Sequence, residues 1–473
     1  MIMPEDNLMP SKPGLMEYVS RHPWLRLAWR AIPSPLRVGP LRWVRDRVLV
    51  LLGNRVRARI AFPRTAAWLE WSPPRPESIV VKRPLHGVAD GVNVLGYIHG
   101  QFGLAEAARM YARALIENGT PVALADIDLA LPHGWDDKSL SSYLDATLPY
   151  PVCIIFVNPD YLGRAIETIG AARLEGRHII ACWFWELESI PDSWLPALEM
   201  VDEVLVATSF VEAAVRKVTG KRVTKVALPL SDVLDSGLQR VDFGLSDDAF
   251  LFLYSFDFNS YLERKNPLAV IAAFRSAFPP ERRDVQLLLK TSNGYRHLPW
   301  LNAVLDAVGG DDRILLRDEV LDRAHMRALQ RCCDAYVSLH RAEGFGLGLA
   351  ECMADGKPVI ATGWSGNMEF MDEECAALVG FRLVELTDAD YPGGKTQRWA
   401  EPDIAHAAQW MRTFADDRAL AAAFGERGRV RVRESLSARG AAESIAARLR
   451  EIHNAAQSAE TYTDRSSSRL DIQ

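Results

Sequence analysis

The run Ser338-Leu-His-Arg-Ala-Glu343-Gly-Phe-Gly-Leu-Gly-Leu-Ala-Glu351-Cys-Met-Ala-Asp-Gly-Lys-Pro-Val-Ile-Ala-Thr362 decides the fold. It is framed by two short β-rich stretches, Ala335-Tyr-Val-Ser-Leu339 and Pro358-Val-Ile-Ala361. Between them, residues 347–355 have helical spacing and stop at Gly356, a residue type suited to the position after a helix end. The pattern predicts strand, loop, helix, strand. Glu343 then falls in the loop beyond a strand's carboxyl end, where open α/β sheets place their ligands. Gly344 and Gly346 allow backbone N–H groups to come close to such a ligand. Glu351 lies about two turns into the following helix. One acid is placed to face a sugar and the other a ribose, whose vicinal hydroxyls suit the two acceptor oxygens of a carboxylate.

The same alternation extends in both directions. Upstream, Phe250-Leu-Phe-Leu-Tyr-Ser-Phe256 reads as a buried strand, and the following loop holds Arg264 and Lys265 just before Pro267, a good first residue for a helix. Two fixed cations there suit a leaving diphosphate, on which negative charge builds as its bond to the sugar breaks. A further strand over 284–290 carries Lys290 and exits through Asn293 and Gly294, and both Lys290 and Asn293 are candidate donor contacts. Residues 313–317 predict another strand and 323–333 a helix. Downstream of the opening run, Gly363-Trp-Ser365-Gly366-Asn367 offers small residues, backbone amides and two polar side chains to a diphosphate or sugar. Such a βαβα order predicts a parallel sheet.

An earlier unit of the same kind starts with the strand 92–99, turns through Gly100-Gln-Phe-Gly103, and enters a helix from 104 to about 118. Gly100 and Gly103 form a second turn where helix-N-terminal amides meet phosphate or acceptor; a plain tight turn is the other reading. His99, at the strand end, is either catalytic or structural. Strands are also expected over 177–185 and 202–209, with Glu186 just beyond the first of them. Glu188 and Asp192 read as solvated or capping acids.

The acid pair, as Glu-Gly-Phe-Gly-Leu-Gly-Leu-Ala-Glu, with the Lys-Pro-Val-Ile-Ala-Thr strand and the Gly-Trp-Ser-Gly-Asn loop, resembles the retaining glycosyltransferases of family 4. The likeness covers about residues 88–453 and is most specific over 250–371. It implies an α/β GT-B architecture, two Rossmann-like domains with parallel sheets facing a central cleft. It also implies transfer of a hexose, mannose among the candidates, from a nucleoside-diphosphate sugar to a hydroxyl with retention. Arg264 and Lys265 would then neutralise the diphosphate, Glu343 with Gly344, Phe345 and Gly346 would hold the sugar, and Glu351 the ribose. Many relatives carry a histidine at a strand end of the first half, near the reacting sugar. This chain has Glu186 there instead, for which binding of an acceptor hydroxyl or of the sugar and a structural role both stay open. The sequence over 338–371 and 262–273 is similar to transferases of bacterial capsule, O-antigen and exopolysaccharide assembly, which implies a glycan or lipid-linked acceptor. A GT-B scaffold that only binds sugar nucleotide or glycan, and a GT-B isomerase or phosphorylase, are the competing classes.

Length and composition frame this reading. A chain of 473 residues is too long for one core and predicts two or three units. The divisions expected are a basic extension with a Pro-rich linker (1–87), a first Rossmann-like, acceptor-side domain (88–240) and a second, nucleotide-sugar domain (241–435). A helix returning to the first half (436–457) and a disordered tail (458–473) complete the chain. Hydrophobic content of 48% with 25% charged residues suits a globular protein, and a net charge of −6 argues against a nucleic-acid partner. The six cysteines lack metal-ligand spacing and fit a reducing cytoplasm. Asp126-Ile-Asp128 and Asp388-Ala-Asp390 have the spacing of metal-holding acid pairs but not the surrounding sequence, so no metal and no cofactor beyond the donor substrate is expected. No apolar run reaches the roughly 20 residues that span a bilayer, and no signal pattern opens the chain. Residues 18–69 nevertheless hold eleven arginines against one acid, Asp46, interleaved with Trp24, Trp29, Trp43 and Trp68. That mixture predicts peripheral contact with anionic lipid at the inner face of the plasma membrane, docking on the acidic remainder of the protein or on a partner, or a basic arm for RNA.

Overall fold

The computed structural model describes residues 60–63, 65, 67–68, 91–145, 147–230 and 235–470, with side chains to residue 455. Most of the basic extension, and with it the lipid contact expected of 18–69, lies outside the described residues. Two six-stranded parallel sheets organise the rest. The first comprises β1 (Val92–Gly96), β2 (Val122–Asp126), β3 (Val152–Phe156), β4 (His178–Trp183), β5 (Glu203–Val206) and β6 (Arg222–Lys225), in the order β2-β1-β3-β4-β5-β6. The second comprises β7 (Phe250–Asp257), β8 (Val285–Ser292), β9 (Ile314–Asp318), β10 (Ala335–Ser338), β11 (Val359–Thr362) and β12 (Ala377–Val379), in the order β12-β11-β10-β7-β8-β9. An antiparallel hairpin, β13 (Phe381–Glu385) and β14 (Arg398–Pro402), follows.

The helices are α1 (Gly103–Glu117), α2 (Pro159–Ile169), α3 (Leu195–Leu198) and α4 (Ser209–Arg216) in the first half. The second half has α5 (Leu262–Lys265), α6 (Pro267–Ala277), α7 (Leu298–Val308), α8 (Arg323–Cys332), α9 (Leu347–Ala354), α10 (Ile404–Asp416) and α11 (Arg418–Ser435), and α12 (Ala438–Leu470) ends the described chain. Strands such as Val-Cys-Ile-Ile-Phe in β3 are buried at every position. A parallel sheet covered on both faces requires such a continuous apolar run in place of alternation. The one polar residue of β1, Asn93, is fully buried and donates its amide to Tyr150 O at 2.7 Å and Val152 O at 3.2 Å, so it costs little.

Strand order locates the site. In the first sheet β1 has β2 on one side and β3 on the other; in the second, β7 stands between β8 and β10. Each is a point where the winding reverses, and there the loops at the strands' carboxyl ends splay apart to leave a crevice. The crevices are the β1–α1 and β3–α2 loops on one side, and the β7–α5 and β10–α9 loops on the other.

The final helix joins the halves. Ala441, Ala442, Ile445 and Leu449 of α12 share one apolar core with Met110, Tyr111 and Ala114 of α1. A buried ion pair adds to this: Glu203 of β5, 3% exposed, accepts from Arg448 Nε at 3.0 and 3.1 Å and lies 3.0 Å from His178 Nε2. α12 also runs through residues 458–470, where a disordered tail is expected from the polar composition. No glycine or proline follows Gly440, so nothing in the backbone stops the helix. Trp68 bears on the basic segment, for which lipid contact and docking on the protein are both expected. Counted among the residues of a lipid-facing segment, it is buried against Phe243 and His325 with ring centroids at 5.0 and 4.4 Å. Thr65 Oγ1 donates to Asp242 at 2.8 Å beside it. Among the described residues no helix is long and apolar enough to cross a membrane.

Arg448→Ala strands Glu203 in the interior and is expected to cost about 1–2 kcal/mol in urea unfolding. Burial alone raises the Glu203 pKa, but the bonds from His178 and Arg448 outweigh it and hold it at about 2, against an ordinary 4.5. This contribution is therefore present above the unfolded value and lost as pH falls through the folded one. The variant should show a weaker loss of stability on acidification over that window; an unchanged profile would mean that the pair does not brace the halves.

Candidate active site

The β10–α9 loop brings Glu343 onto the β7–α5 loop. Lys265 Nζ donates to Glu343 Oε1 in a short bond, and Arg264 Nη1 donates to Glu343 Oε2 at 3.3 Å and to Ala342 O at 3.0 Å. The other end of Arg264 lies 3.7 Å from Glu186 of the first half, whose second oxygen accepts from Tyr391 Oη at 2.9 Å. All four residues expected to be catalytic thus share one cluster. Burial pushes the Glu343 carboxyl up, but Lys265 and Arg264 overcome it and hold it at about 2. Burial pulls the Arg264 guanidinium down, yet Glu186 and Glu343 raise it well above its usual value. Lys265 is pulled the other way, since burial lowers its ammonium's pKa against the attraction of Glu343.

Backbone conformations that side chains rarely adopt surround this point. Tyr261, Asn266, Asn293 and Ser365 all have positive φ, between 53° and 79°. Asn266 at +53° lets α5 end and α6 start at Pro267, which aims Lys265 inward. Gly344 sits where a Cβ would come within 3.0 Å of Trp185 O, so its lack of a side chain admits the first half's backbone. Thr208 Oγ1 also donates to Gly344 O across the cleft, at 3.2 Å.

The cleft continues from this cluster. A cavity of about 470 Å³ is lined by Glu186, Arg264, Lys265, Glu343, Gly344, Phe345 and Gly346, with His133, Asn158 and Asn259 opposite. It shares Gly103, Ser255, Ser292 and Gly348 with a larger one of about 970 Å³ whose wall carries Glu106, Arg109, Lys290, Arg323 and Glu351. The Lys290 ammonium is buried, which lowers its pKa against the pull of Asp257 and Asp318. Such a cation is suited to meeting phosphate.

Several expected contacts do other work. Glu351 is on the wall, but one oxygen takes a short bond from Arg323 and the other accepts from Gln330 Nε2 at 2.7 Å. Arg323 Nε lies 3.3 Å from Glu106 of α1, so this arginine ties the halves together at the carboxylate expected to hold a ribose. Asn293 gives its amide to both oxygens of Asp257 at 2.9 Å. Ser365, Gly366 and Asn367 brace the acid loop and line neither cavity. Ser365 Oγ accepts from Glu343 N at 2.8 Å, Gly366 N donates to Glu343 O at 2.8 Å, and Asn367 Oδ1 lies 3.0 Å from His340 Nε2. A Cβ on Gly366 would fall 2.2 Å from Gly344 O, so glycine there permits the two loops to touch. Gly100 lies behind Phe102, its carbonyl accepting from Arg109 at 2.6 Å, while Gly103 reaches both cavities. Phe345 packs on Phe370 at 5.1 Å. His99 pairs with Asp126 at 2.9 Å. Sequence reading missed Glu106, Arg109, Arg323 and Gln330, which lie on helix faces with no local motif. It also missed Tyr391, on the β13–β14 hairpin.

The family described as Glycosyl transferases group 1 matches residues 253–390, which include both charged loops of the second half. Among solved structures, the chain is similar to sucrose-phosphate synthase (tll1590) from Thermosynechococcus elongatus, at 17% identity and a TM-score of 0.57 over 77% of this chain and 100% of that one. It is also similar to Anabaena Alr3699/HepE, solved with UDP and glucose, at 15% identity and a TM-score of 0.56 over 76% and 99% of the two chains. No curated protein matches. The chain has the two-domain GT-B fold that the resemblance implies, and residues 253–390 of its second half are similar to the glycosyl transferases group 1 family.

Proposed function

We propose that the protein transfers a hexose from a nucleoside-diphosphate sugar to an acceptor hydroxyl with retention at the anomeric carbon. The observation that carries this reading is the buried cluster in which Arg264 and Lys265 meet Glu343 at the winding reversal of the second sheet. The complex of Alr3699/HepE with UDP and glucose supports a donor of the nucleotide-sugar class for a chain of this fold.

The larger cavity takes the nucleoside diphosphate. Glu351 receives the ribose hydroxyls once Arg323 yields, and Lys290 stands beside the phosphates. An ammonium has three donors, and Glu343 uses one of Lys265's, so two remain for phosphate oxygens. Glu343 and the Gly344 and Gly346 amides hold the sugar hydroxyls. As the bond from the anomeric carbon to the β-phosphate oxygen breaks, Lys265 and Arg264 stabilise the charge that develops there. The acceptor oxygen bonds to the same face of the anomeric carbon and its proton passes to the departing phosphate, so no further base is needed. Glu186 replaces the family's histidine and fixes Arg264, with its Tyr391-bound oxygen toward the acceptor side. A glycan or lipid-linked acceptor of surface-polysaccharide assembly is the finer proposal, supported by the sequence likeness over 262–273 and 338–371.

A thermal-shift screen against UDP, GDP, ADP and dTDP tests the donor site. A nucleotide at 100 times its Kd stabilises the native state by about 2.7 kcal/mol, and Glu351→Ala should abolish the shift. Folded protein unmoved by all four would overturn the reading. With donor and acceptor in hand, Lys265→Ala should lower kcat by about 10²-fold, the equivalent of roughly 2.7 kcal/mol of transition-state stabilisation. Unchanged turnover would remove Lys265 from the leaving-group role.

A further inference from the structure

The smaller cavity has an end away from the nucleotide side. Beyond Glu186 its wall runs through Asn158, His133, Asn259 and Ser260, and the next residue in the chain is Tyr261. Tyr261 is 37% exposed and holds φ +60° and ψ 115°, a backbone conformation that bulky residues seldom adopt. Its ring is held edge-on by Tyr391 at 4.9 Å, and Trp300 lies 6.3 Å away with its plane tilted by 49°. Trp300 in turn lies flat on His297, at 4.9 Å and 12° between planes. From the first half, Tyr161 is left 38% exposed on α2. Burial, and after it the charges of Asp160, Tyr161 and Glu186, raises the Tyr261 phenol's pKa.

We infer that Tyr261, Trp300 and His297 form a shelf that binds a pyranose ring of the acceptor glycan. The inference rests on the transferase reading above and adds the place where the acceptor lies. A pyranose presents C–H groups on its faces and hydroxyls on its rim. Flat aromatic surface matches the first, and fixed hydrogen-bonding groups at the edge match the second. The rim groups are present. His297 Nε2 lies 2.9 Å from Asn259 Oδ1, so it donates there, and its Nδ1, with no hydrogen bond to a described residue, accepts. Burial keeps this imidazole's pKa below its ordinary value and the ring neutral. Asn259 is oriented by Pro132 O at 3.2 Å, and Asp160 by Trp194 Nε1 at 2.7 Å. A nonpolar partner alone would leave these groups unused.

Saturation-transfer NMR with the methyl glycosides of glucose, galactose and mannose tests the shelf. The wild-type protein should transfer saturation to the ring protons of at least one. Tyr261→Gly removes the ring at a positive-φ position, which glycine tolerates better than a residue with a side chain. It should weaken binding by about three- to tenfold, as should Trp300→Ala, while Trp300→Phe retains most of it. The nucleotide-induced thermal shift should be unaltered in all three variants. No transfer to any glycoside, or equal transfer in Tyr261→Gly and the wild type, would overturn the shelf. If the nucleotide shift is absent from the wild type as well, the transferase reading has failed; if it persists, only the shelf has.

Discussion

The cleft depends on how its charges are kept together away from water. Glu343, Lys265 and Arg264 are mostly buried, and an isolated ion at such depth would cost several kcal/mol. Each is tolerable because the others and the Ala342 carbonyl surround it. Removing one leaves the remainder uncompensated, a larger loss than a surface ion pair represents. With the Glu343 pKa held at about 2, the carboxylate stays ionised at any pH the fold normally meets. The cluster is thus a fixed field, oriented before any substrate arrives, which is the property that electrostatic stabilisation of a leaving group requires.

Topology puts that field where a second domain can use it. Both sheets reverse their winding at the strands whose loops line the cleft, so the fold provides crevices on both sides without any sequence device. Side chains then couple the halves. Arg323 touches Glu351 of one and Glu106 of the other, and Arg264 reaches Glu186. Tyr391 and Trp399 share an apolar cluster with Trp185 and Trp194. Binding a ribose at Glu351 must compete with Arg323, so donor affinity is linked to how the halves are held. The β13–β14 hairpin, which carries Tyr391 and Trp399, adds a further link through Ser189 N donating to Gln397 Oε1 at 2.8 Å.

What the sequence reveals follows from the range of the interactions involved. The acid loop and the Arg264–Lys265 loop are legible because a strand, a glycine or proline, and the charged residues are neighbours in the chain. The parallel α/β layers follow from apolar runs alternating with helical patterns, and the GT-B arrangement from the family resemblance of the acid loop. The bracing of the acid loop by Ser365, Gly366 and Asn367 is not legible, because their partners Glu343, Gly344 and His340 are more than twenty residues away by sequence in each case. The pairing of the Asn293 amide with Asp257 is hidden for the same reason. Arg323, Glu106 and Tyr391 carry no local signature at all, since only folding brings them to the cleft. Trp68 shows the converse: an arginine- and tryptophan-rich composition suits a lipid surface, yet the aromatic face of Phe243 accommodates this ring inside the protein.

Phosphorus-31 NMR of UDP, GDP, ADP and dTDP, each titrated with the protein, tests the central claim that Arg264 and Lys265 receive the β-phosphate. For the nucleotide that binds, the account predicts that the β-phosphorus resonance moves further than the α resonance, and that Lys265→Ala removes most of the difference. Binding with equal movement of both resonances, unchanged in Lys265→Ala, would contradict it.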